Sequence, residues 1–395
     1  MLYLQKLFAS LSDVNNMNNH VIGRNIMRAI WIWQQNDWPK FHWDDSKVIT
    51  ILSRVRMSQG KLLGELNTFG FDLQNNASLE IITSDVISSS EIEGIILDPA
   101  KVRSSVASRL GLSTQGLPIP DHYTEGVVEV MMDAIKNFDK VLTKDRLCDW
   151  HAALFPTGRS GIYKISVAEY RQGEEPMQIV SGAMEHEKVH YEAPSSSVVS
   201  HEMDLFLDWI NKPCDIDPVI KAAIAHLWFV AIHPFDDGNG RLTRTITDMM
   251  LSRSDGQRLR FYSMSAEIMR KRNSYYDILQ KTTSGDLCIT DWLLWFLETM
   301  ESAIIRSYET LSKVRQKAIF WQNNSEVTFN ERQVKILNRL LDGFEGKLTT
   351  SKYAKITHTS QATALRDIQD LLERGILIKT ESGGRSSSYV IKGDG

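Results

Sequence analysis

Apolar residues recur every three or four positions along much of the chain, which is the spacing of one face of an α-helix. The stretch from Asp45 to Thr68 follows this pattern. A second helix is predicted from near Ser78 to Glu93, because Gly94 then supplies a C-terminal stop. Further helices are predicted at 126–138, 144–155, 239–252, 266–282 and 288–315. The expected fold class is therefore mainly α.

One predicted helix is apolar on almost every side. Asp217 is a good N-cap, and Pro218 suits the first helical position. The residues from Val219 to Ile232 are nearly all apolar, so we expect this helix to be central and buried. It leads directly into a loop that begins at His233.

Two stretches depart from the helical pattern. Within a dense tryptophan cluster at 31–43, isoleucine alternates with tryptophan at 30–33, which predicts a short strand or a packed hairpin. Between 178 and 191, two β-compatible runs surround a glycine-containing turn, which predicts a second hairpin.

The C-terminal part follows a polar segment at 321–331 that indicates a linker. Helices at 331–341, 350–356 and 360–373, then a strand and a polar-tipped hairpin, are the layout of a winged helix-turn-helix. We therefore predict an N-terminal Trp-rich helical region at 1–75, a core at 76–315 and a winged helix-turn-helix at 316–395. DNA binding and protein docking or dimerisation stay open for this last part.

Composition narrows the function classes. The net charge of −4 argues against a wholly basic nucleic-acid surface but permits a local patch. The three cysteines lack metal-ligand spacing, which favours buried thiols in a reducing compartment. No apolar run approaches about 18 residues, and no signal peptide is recognisable, so we expect a cytoplasmic enzyme with no membrane partner.

The segment His233-Pro-Phe-Asp-Asp-Gly-Asn-Gly-Arg241 concentrates chemically useful groups after the buried helix. His233 is suited to accept a proton near neutral pH. Asp237 is a carboxylate beside a glycine-rich turn, which suits Mg²⁺. A histidine base beside a metal-binding carboxylate is typical of a catalytic loop.

Anion-binding groups follow in the same segment. The turn at 238–240 allows backbone N–H groups to approach a phosphate at the start of the next helix. Arg241 and Arg244 lie three residues apart, so both can face one side and donate to phosphate oxygens. Together these groups indicate phosphoryl or nucleotidyl transfer.

The segment matches the signature HPFx(D/E)GN(G/K)R at every specified position, and Arg244 completes the GNGRxxR form. The chain thus resembles the Fic family over about residues 80–300. The resemblance implies an all-α core, Mg²⁺ and ATP as cofactor and substrate, and transfer of AMP to a hydroxyl side chain of a target protein.

The resemblance also implies roles for individual residues. His233 would deprotonate the target Ser, Thr or Tyr hydroxyl, Phe235 would anchor the loop, and Asp237 would hold Mg²⁺. The flap, at about 178–191, would clamp the target segment by strand addition. Phosphate binding is implied for Gly238, Asn239, Gly240, Arg241 and Arg244.

A second motif, Ser89-Ser-Glu-Ile-Glu93-Gly94, lies at the end of the helix predicted at about 78–94. It matches the inhibitory motif (S/T)xxxE(G/N) that precedes the core in one subgroup of the family. In that subgroup the glutamate pairs with the second arginine, which is Arg244 in this chain, and holds ATP unproductively. The resemblance therefore implies autoinhibition, with Ser89, Glu93 and Gly94 as regulatory residues.

Several alternatives stay open from the sequence. Tyr275 and Tyr276 are candidates for the adenine pocket wall, or they pack as ordinary helix residues. The target could be the chain itself, Glu93 could position water for AMP removal, and the donor could be another nucleotide or a phosphocholine compound. The alternative function is a DNA-binding transcriptional regulator with an accessory self-modifying Fic domain; a homodimer also stays open.

Overall fold

The computed structural model describes residues 31–181, 188–344, 346–380 and 387–392. Parts of three predictions therefore lie outside the described residues: the region 1–30, the flap tip at 182–187, and the tip of the C-terminal hairpin at 381–386. The helices are α1 (Asp45–Leu66), α2 (Phe71–Ile92), α3 (Pro99–Arg109), α4 (His122–Lys136), α5 (Lys144–Leu154), α6 (Ser196–Asn211), α7 (Pro218–Ile232), α8 (Asn239–Asp255), α9 (Met264–Arg270), α10 (Arg272–Thr283), α11 (Thr290–Asn323), α12 (Glu331–Leu341), α13 (Thr350–Thr357) and α14 (Gln361–Glu373). The predicted mainly α fold is confirmed.

The strands of the described residues form three two-stranded antiparallel sheets. They are β1 (Arg159–Ser160) with β2 (Tyr163–Lys164), β3 (Gln178–Ser181) with β4 (Lys188–Glu192), and β5 (Leu377–Lys379) with β6 (Tyr389–Ile391). The β3–β4 pair confirms the hairpin predicted for the flap, and its register shifts between Ile179 and Val180. The small β1–β2 hairpin has no counterpart in the sequence analysis.

The chain divides into two compact units, Met1–Tyr308 and Glu309–Gly395. The core of the first unit is built around α7, which packs against α8 and is buried along nearly all of its length. Its start is as the sequence suggests, since Asp217 accepts a hydrogen bond from Val219 N at 2.8 Å and Pro218 begins the helix. The predicted three-part division of the chain stays a prediction.

Helix α2 carries the segment 89–94 to the side of α8. It begins at Phe71, before the predicted start near Ser78, because polar residues in its first turns obscure the apolar pattern although Asn75 and Ser78 are themselves buried. Helix α2 packs against α3 and α9. It ends at Ile92, and Gly94 follows with a φ of 76°, a left-handed conformation that glycine adopts without strain.

The predicted strand or hairpin in the tryptophan cluster is wrong, because Ile32–Gln34 form a short 3-10 helix. The indole N–H groups find distant partners instead of a neighbouring strand: Trp33 donates to the Glu192 carbonyl at 2.7 Å, and Trp38 donates to the Glu202 carboxylate at 2.8 Å. Tertiary packing thus overrides the alternating pattern.

The expectation of buried thiols holds for one cysteine only. Cys148 is buried, whereas Cys214 and Cys288 are exposed, since both lie at or beside helix ends rather than on inward helix faces. No helix in the described part of the chain has the length and hydropathy to cross a bilayer.

The second unit has its own apolar core. Helices α12, α13 and α14 are followed by the β5–β6 sheet, and Leu348 adds a bridge to Tyr389. His358 adopts a left-handed conformation with a φ of 53° and makes the turn between α13 and α14. The core residues are Ile336, Leu337, Leu348, Tyr353, Ala354, Ala364, Ile368, Leu371, Ile376, Leu377, Tyr389 and Ile391.

Candidate active site

The site begins where α7 ends. His233 has a φ of 52°, a conformation that L-residues rarely adopt, and this turns the chain sharply out of the helix. Its Nδ1 lies 3.3 Å from the Val230 carbonyl oxygen, which can only accept a hydrogen bond. Nδ1 therefore carries the proton, and Nε2 keeps its lone pair. His233 lines an open pocket with that lone pair available.

The electrostatic surroundings keep His233 neutral. Burial lowers its pKa to about 4, with the Arg171 charge acting in the same direction and the Val230 hydrogen bond opposing it. The Arg171 guanidinium donates from Nε to the His233 carbonyl at 2.8 Å, and the Arg171 backbone N–H donates to the Pro234 carbonyl at 2.8 Å. Sequence reasoning missed Arg171, which lies in an irregular segment far from the motif.

Asn239 shapes the loop from inside. Its side-chain oxygen accepts from Phe235 N at 2.9 Å, and its side-chain nitrogen donates to the Phe235 carbonyl at 2.7 Å. Both ends of the amide are therefore used within the loop, so the phosphate contact expected for Asn239 is left to backbone groups. Phe235 is fully buried and anchors the loop, as expected.

His151 is a buried supporting residue that the sequence analysis did not single out. Its ring stacks on Phe235 with centroids 4.3 Å apart. Its Nδ1 accepts from Ala168 N at 3.1 Å, so its Nε2 carries the proton and donates to the Asp237 carbonyl at 3.2 Å. Burial lowers the pKa of His151 to about 4, which keeps this neutral tautomer in place. No local pattern marks it, because its partners lie on separate segments.

The Asp237 carboxylate faces the β1–β2 hairpin. Oδ1 accepts from the Gly238 backbone N–H at 2.6 Å, and Oδ2 accepts from the Ser160 hydroxyl. Burial raises the pKa of Asp237, but the Ser160 hydrogen bond and the Arg241 charge outweigh it and hold the pKa below its usual value. The group is thus a carboxylate at neutral pH. Among the described residues no cluster of three or more His, Cys, Asp or Glu side chains could hold a metal alone.

Two arginines on the first turns of α8 are buried with unpaired N–H groups. Arg241 donates from Nη1 to the Tyr123 hydroxyl at 2.9 Å and lies 4.7 Å from the centroid of the Phe155 ring. Its Nε has no hydrogen-bond partner among the described residues, and neither does Nη1 of Arg244. Both groups are therefore available to donate to an anionic ligand at the start of α8.

Arg244 meets the segment 89–94 directly. It donates from Nη2 to the Glu93 carboxylate at 2.9 Å and to the Ser89 carbonyl at 2.8 Å, and from Nε to the Ser89 hydroxyl at 2.9 Å. Burial lowers the pKa of Arg244, but the Glu93 charge overcomes this and the pKa lies above its usual value. The Arg244 side chain is 2% exposed and that of Glu93 is 21% exposed, so the pair closes one side of the loop.

The contact between Glu93 and Arg244 requires a glycine at position 240. A Cβ added at Gly240 would overlap the Glu93 carboxylate and would lie 3.2 Å from Arg244 Nη1. The glycine therefore allows the carboxylate to approach the α8 N-terminus, in addition to any role in phosphate approach. Gly94 takes part through its backbone only, by ending α2 directly after Glu93.

An open pocket of about 670 Å³ adjoins these groups. Tyr275 and Tyr276 both line it, as does Glu93. Tyr275 is buried, and Tyr276 lies partly exposed on the same helix, α10. The pocket thus brings together residues predicted from distant segments of the sequence: His233, Gly240, Glu93 and both tyrosines.

The chain matches two family models. Residues 141–251 match the Fic/DOC family, and residues 31–112 match a domain of unknown function, DUF4172. The first match contains the loop 233–241, and the second contains α2 with the segment 89–94.

Named relatives and a solved structure agree with the first match. Protein adenylyltransferase fic-1 of Caenorhabditis elegans is 30% identical over 142 residues, which are 35% of this chain and 26% of that protein. Protein adenylyltransferase Fic of Aedes aegypti is 25% identical over 217 residues, 53% of this chain and 39% of that protein. The chain therefore spans well under half the length of these relatives.

A Fic family protein from Desulfovibrio desulfuricans has a known crystal structure with a TM-score of 0.50 to this chain. The match covers 90% of this chain and 98% of that chain at 18% identity, which shows a shared fold.

Proposed function

Because residues 141–251 form a Fic/DOC domain, we propose that this protein is a protein adenylyltransferase, which transfers AMP from ATP to a hydroxyl side chain of a target protein. The observation that carries the proposal is the pair of buried arginines, whose unpaired N–H groups lie on the helix that follows the His233 loop. A triphosphate supplies the acceptor oxygens that these donors lack.

His233 is the general base of the proposed reaction. Its Nε2 accepts the proton of the target hydroxyl, and the oxygen so activated attacks the α-phosphorus of ATP. The new bond joins the target oxygen to AMP, the bond between the α- and β-phosphates breaks, and pyrophosphate leaves with the bridging oxygen. Arg241, Arg244 and the N-terminus of α8 bind the phosphate oxygens and stabilise the charge that develops on them.

Asp237 fits a magnesium ion of the kind that accompanies ATP. Mg²⁺ is bound in such sites by one or two carboxylates together with substrate phosphates and water, so one ionised carboxylate beside the anion site suffices. When bound, the ion neutralises phosphate charge. The Ser160 hydroxyl and the Gly238 N–H hold the Asp237 carboxylate in one orientation.

The β3–β4 hairpin is the proposed clamp for the target segment. Its strands pair only with each other among the described residues, so an edge remains for an added strand. Tyr191 of β4 ties the hairpin to α7, because its hydroxyl donates to the Ala231 carbonyl at 2.6 Å. A strand added there would lie close to His233, which follows Ala231 by two residues.

The fate of the label on ATP tests the proposed reaction. The Glu93→Gly variant is incubated in a cell lysate with ATP labelled on the α-phosphate, and in parallel with ATP labelled on the γ-phosphate. We expect protein bands with the α-label only. Bands with the γ-label would indicate phosphorylation instead, and the absence of both would reject the transferase.

We also propose that Glu93 inhibits the resting enzyme, since it occupies the arginine that an ATP phosphate requires. In this state ATP can bind only with its terminal phosphate displaced from Arg244. Release of label from a modified target by the wild-type chain would further assign AMP removal to the same site.

The rate of transfer is expected to be independent of pH where an ordinary histidine would titrate. The imidazole of His233 must be neutral to accept a proton, and burial lowers its pKa from 6.5 to about 4. Transfer by Glu93→Gly should therefore be constant between about pH 6 and pH 8 and decline only as the pH approaches the pKa of His233. Initial rates of α-label incorporation, with thermal melting at each pH as a control for folding, check this. An inflection near 6.5 would contradict it.

A second candidate function, DNA binding by the C-terminal unit, is favoured by the way α14 is oriented. Two of its acidic residues are bound by side chains of α12: Asp367 is buried and is bound by Arg332 at 2.7 Å, and Asp370, whose side chain is 38% exposed, is bound by Gln333 at 2.7 Å. The outward face therefore offers Arg366, with Gln361, Leu365 and Gln369 also exposed. Arginine and glutamine are the side chains that read guanine and adenine edges in the major groove.

A gel-shift with the full chain tests this candidate. We expect binding to mixed-sequence duplex DNA at low salt and sequence-selective binding that persists at higher salt. Arg366→Ala should weaken binding by about tenfold, whereas Arg339→Ala, an exposed arginine on α12, should not. Equal effects of the two changes would reject α14 as the surface that reads the bases.

A further inference from the structure

The pocket has mostly apolar walls and few polar groups. Ile179 of β3, Val230 of α7 and Leu279 of α10 contribute the walls, and Tyr276 lies beside them. Such a slot suits a flat aromatic ring, which stacks against apolar and tyrosine side chains. The polar groups that line the pocket decide which ring is accepted.

Gln280 presents only donors to the pocket. Its Oε1 lies 3.1 Å from Nδ1 of His190, a residue of the flap strand β4, and accepts the proton that this nitrogen carries. The Nε2 amino group, at the other end of the amide, is thereby left as the donor for a ligand in the pocket, which Gln280 lines. Because one end of the amide is bound to the flap, the orientation of Gln280 is set before a ligand arrives.

Thr283, one turn along α10, presents only an acceptor. Its hydroxyl donates to the Leu279 carbonyl at 2.8 Å, so the proton is used within the helix and the oxygen is left only as an acceptor for a ligand in the pocket that Thr283 lines. Donor and acceptor therefore lie on the same face of α10, three residues apart.

The two buried tyrosine hydroxyls of the pocket are already used. Tyr191 donates to the Ala231 carbonyl. Thr247 donates its proton to the Thr243 carbonyl at 2.8 Å, so His226 must donate from Nδ1 to the Thr247 oxygen at 2.9 Å. His226 Nε2 consequently accepts the Tyr275 hydroxyl proton, also at 2.9 Å. Because the Tyr275 hydroxyl donates its proton to His226, it cannot donate that proton to a nucleobase.

We infer that Gln280 and Thr283 select adenine among nucleobases, an inference that rests on the proposed nucleotide site. The Watson–Crick edge of adenine has one acceptor, N1, and one donor group, the N6 amine, which Gln280 Nε2 and the Thr283 oxygen satisfy. Guanine offers three groups on the same edge: O6, N1–H and the N2 amine. At least one of them would be buried among apolar walls without a partner, which disfavours guanine.

Nucleotide binding measures this selection without any transfer reaction. The full chain with Glu93→Gly and His233→Ala serves as the parent, since it frees Arg244 and prevents turnover. Isothermal titration with Mg-ATP and Mg-GTP should give a Kd for GTP at least about tenfold above that for ATP, which corresponds to about 1.4 kcal/mol. Gln280→Leu and Thr283→Val should each bring the Kd values for ATP and GTP to within about threefold of each other, mainly because ATP binds more weakly.

A gain of preference separates recognition from simple damage. Gln280→Glu replaces the donors with an acceptor for guanine N1–H, so it should favour GTP over ATP, which an unfolded variant cannot do. Thr282→Val is the matched control: Thr282 is buried, its hydroxyl donates to the Ile278 carbonyl at 2.8 Å, and it does not line the pocket. This control should keep the parent ratio.

Two outcomes would overturn the inference. If both nucleotides bind and the ratio is the same in the parent, Gln280→Leu and Gln280→Glu, the base is recognised elsewhere. If neither nucleotide binds the parent, both the nucleotide site and its base selection are rejected. Selective binding of ATP without transfer of label to protein would retain the inference and reject the proposed reaction alone.

Discussion

His233→Ala, introduced into the Glu93→Gly variant, is expected to lower AMP transfer by about 100-fold or more, because positioned general bases contribute about 10²- to 10⁴-fold to such reactions. The Val230 carbonyl holds the imidazole in the tautomer that leaves Nε2 free, and alanine offers no group to take over the proton. The rate of α-label incorporation at saturating ATP measures the loss.

Binding must persist for this result to concern catalysis. His233 makes no bond to Arg241 or Arg244, so the Kd for Mg-ATP should stay within about threefold of that of Glu93→Gly. The matched control is His201→Ala, which removes an exposed histidine of α6. Transfer by the His233→Ala enzyme within about fivefold of its parent would contradict the assignment of His233 as the base.

Glu93→Gly alone is expected to raise AMP transfer by about tenfold or more over the wild-type chain, because an ATP phosphate then replaces the carboxylate on Arg244. Removing one partner of a buried pair also leaves an uncompensated charge, at a cost of about 3 kcal/mol or more when no anion is present. The Tm of the variant should therefore fall without ligand and recover with Mg-ATP by a larger amount than in the wild type.

Glu91→Gly is the matched control for this second prediction. Glu91 lies two residues earlier, in the last turn of α2, and is exposed, so glycine there weakens the helix end without touching Arg244. Equal incorporation by the wild type and Glu93→Gly would reject autoinhibition. An equal rise in both glycine variants would instead assign the effect to loosening of α2.

Much of the site follows from adjacent residues and is therefore accessible from sequence. The loop 233–241 has its general base, carboxylate, turn and first arginine within one continuous segment. The helices on either side of the loop, α7 and α8, determine the direction in which these groups point. Adjacency also predicts a phosphate contact for the backbone of Asn239, which stays a prediction, whereas only the structure shows that its side chain has both of its bonds within the loop.

Residues that support the loop could not be recognised in this way. His151 lies 86 residues from Asp237, Arg171 lies 62 from His233, and Tyr123 lies 118 from Arg241. Each is an ordinary member of its own segment, and only the packing of separate helices brings it to the loop. The 3-10 helix in the tryptophan cluster has the same origin, since its indole partners are distant in the chain.

The sequence by itself determined a mainly helical chain with a buried helix that ends in a nucleotide-transfer motif, because helical periodicity and contiguous motifs are local properties. It also named Glu93 and Arg244 as a pair through family resemblance. The tertiary structure decided the rest: that the carboxylate lies 2.9 Å from Arg244, which N–H groups stay unpaired, and which atoms Gln280 and Thr283 present. Those features depend on hydrogen-bond directions between distant segments, which no local pattern contains.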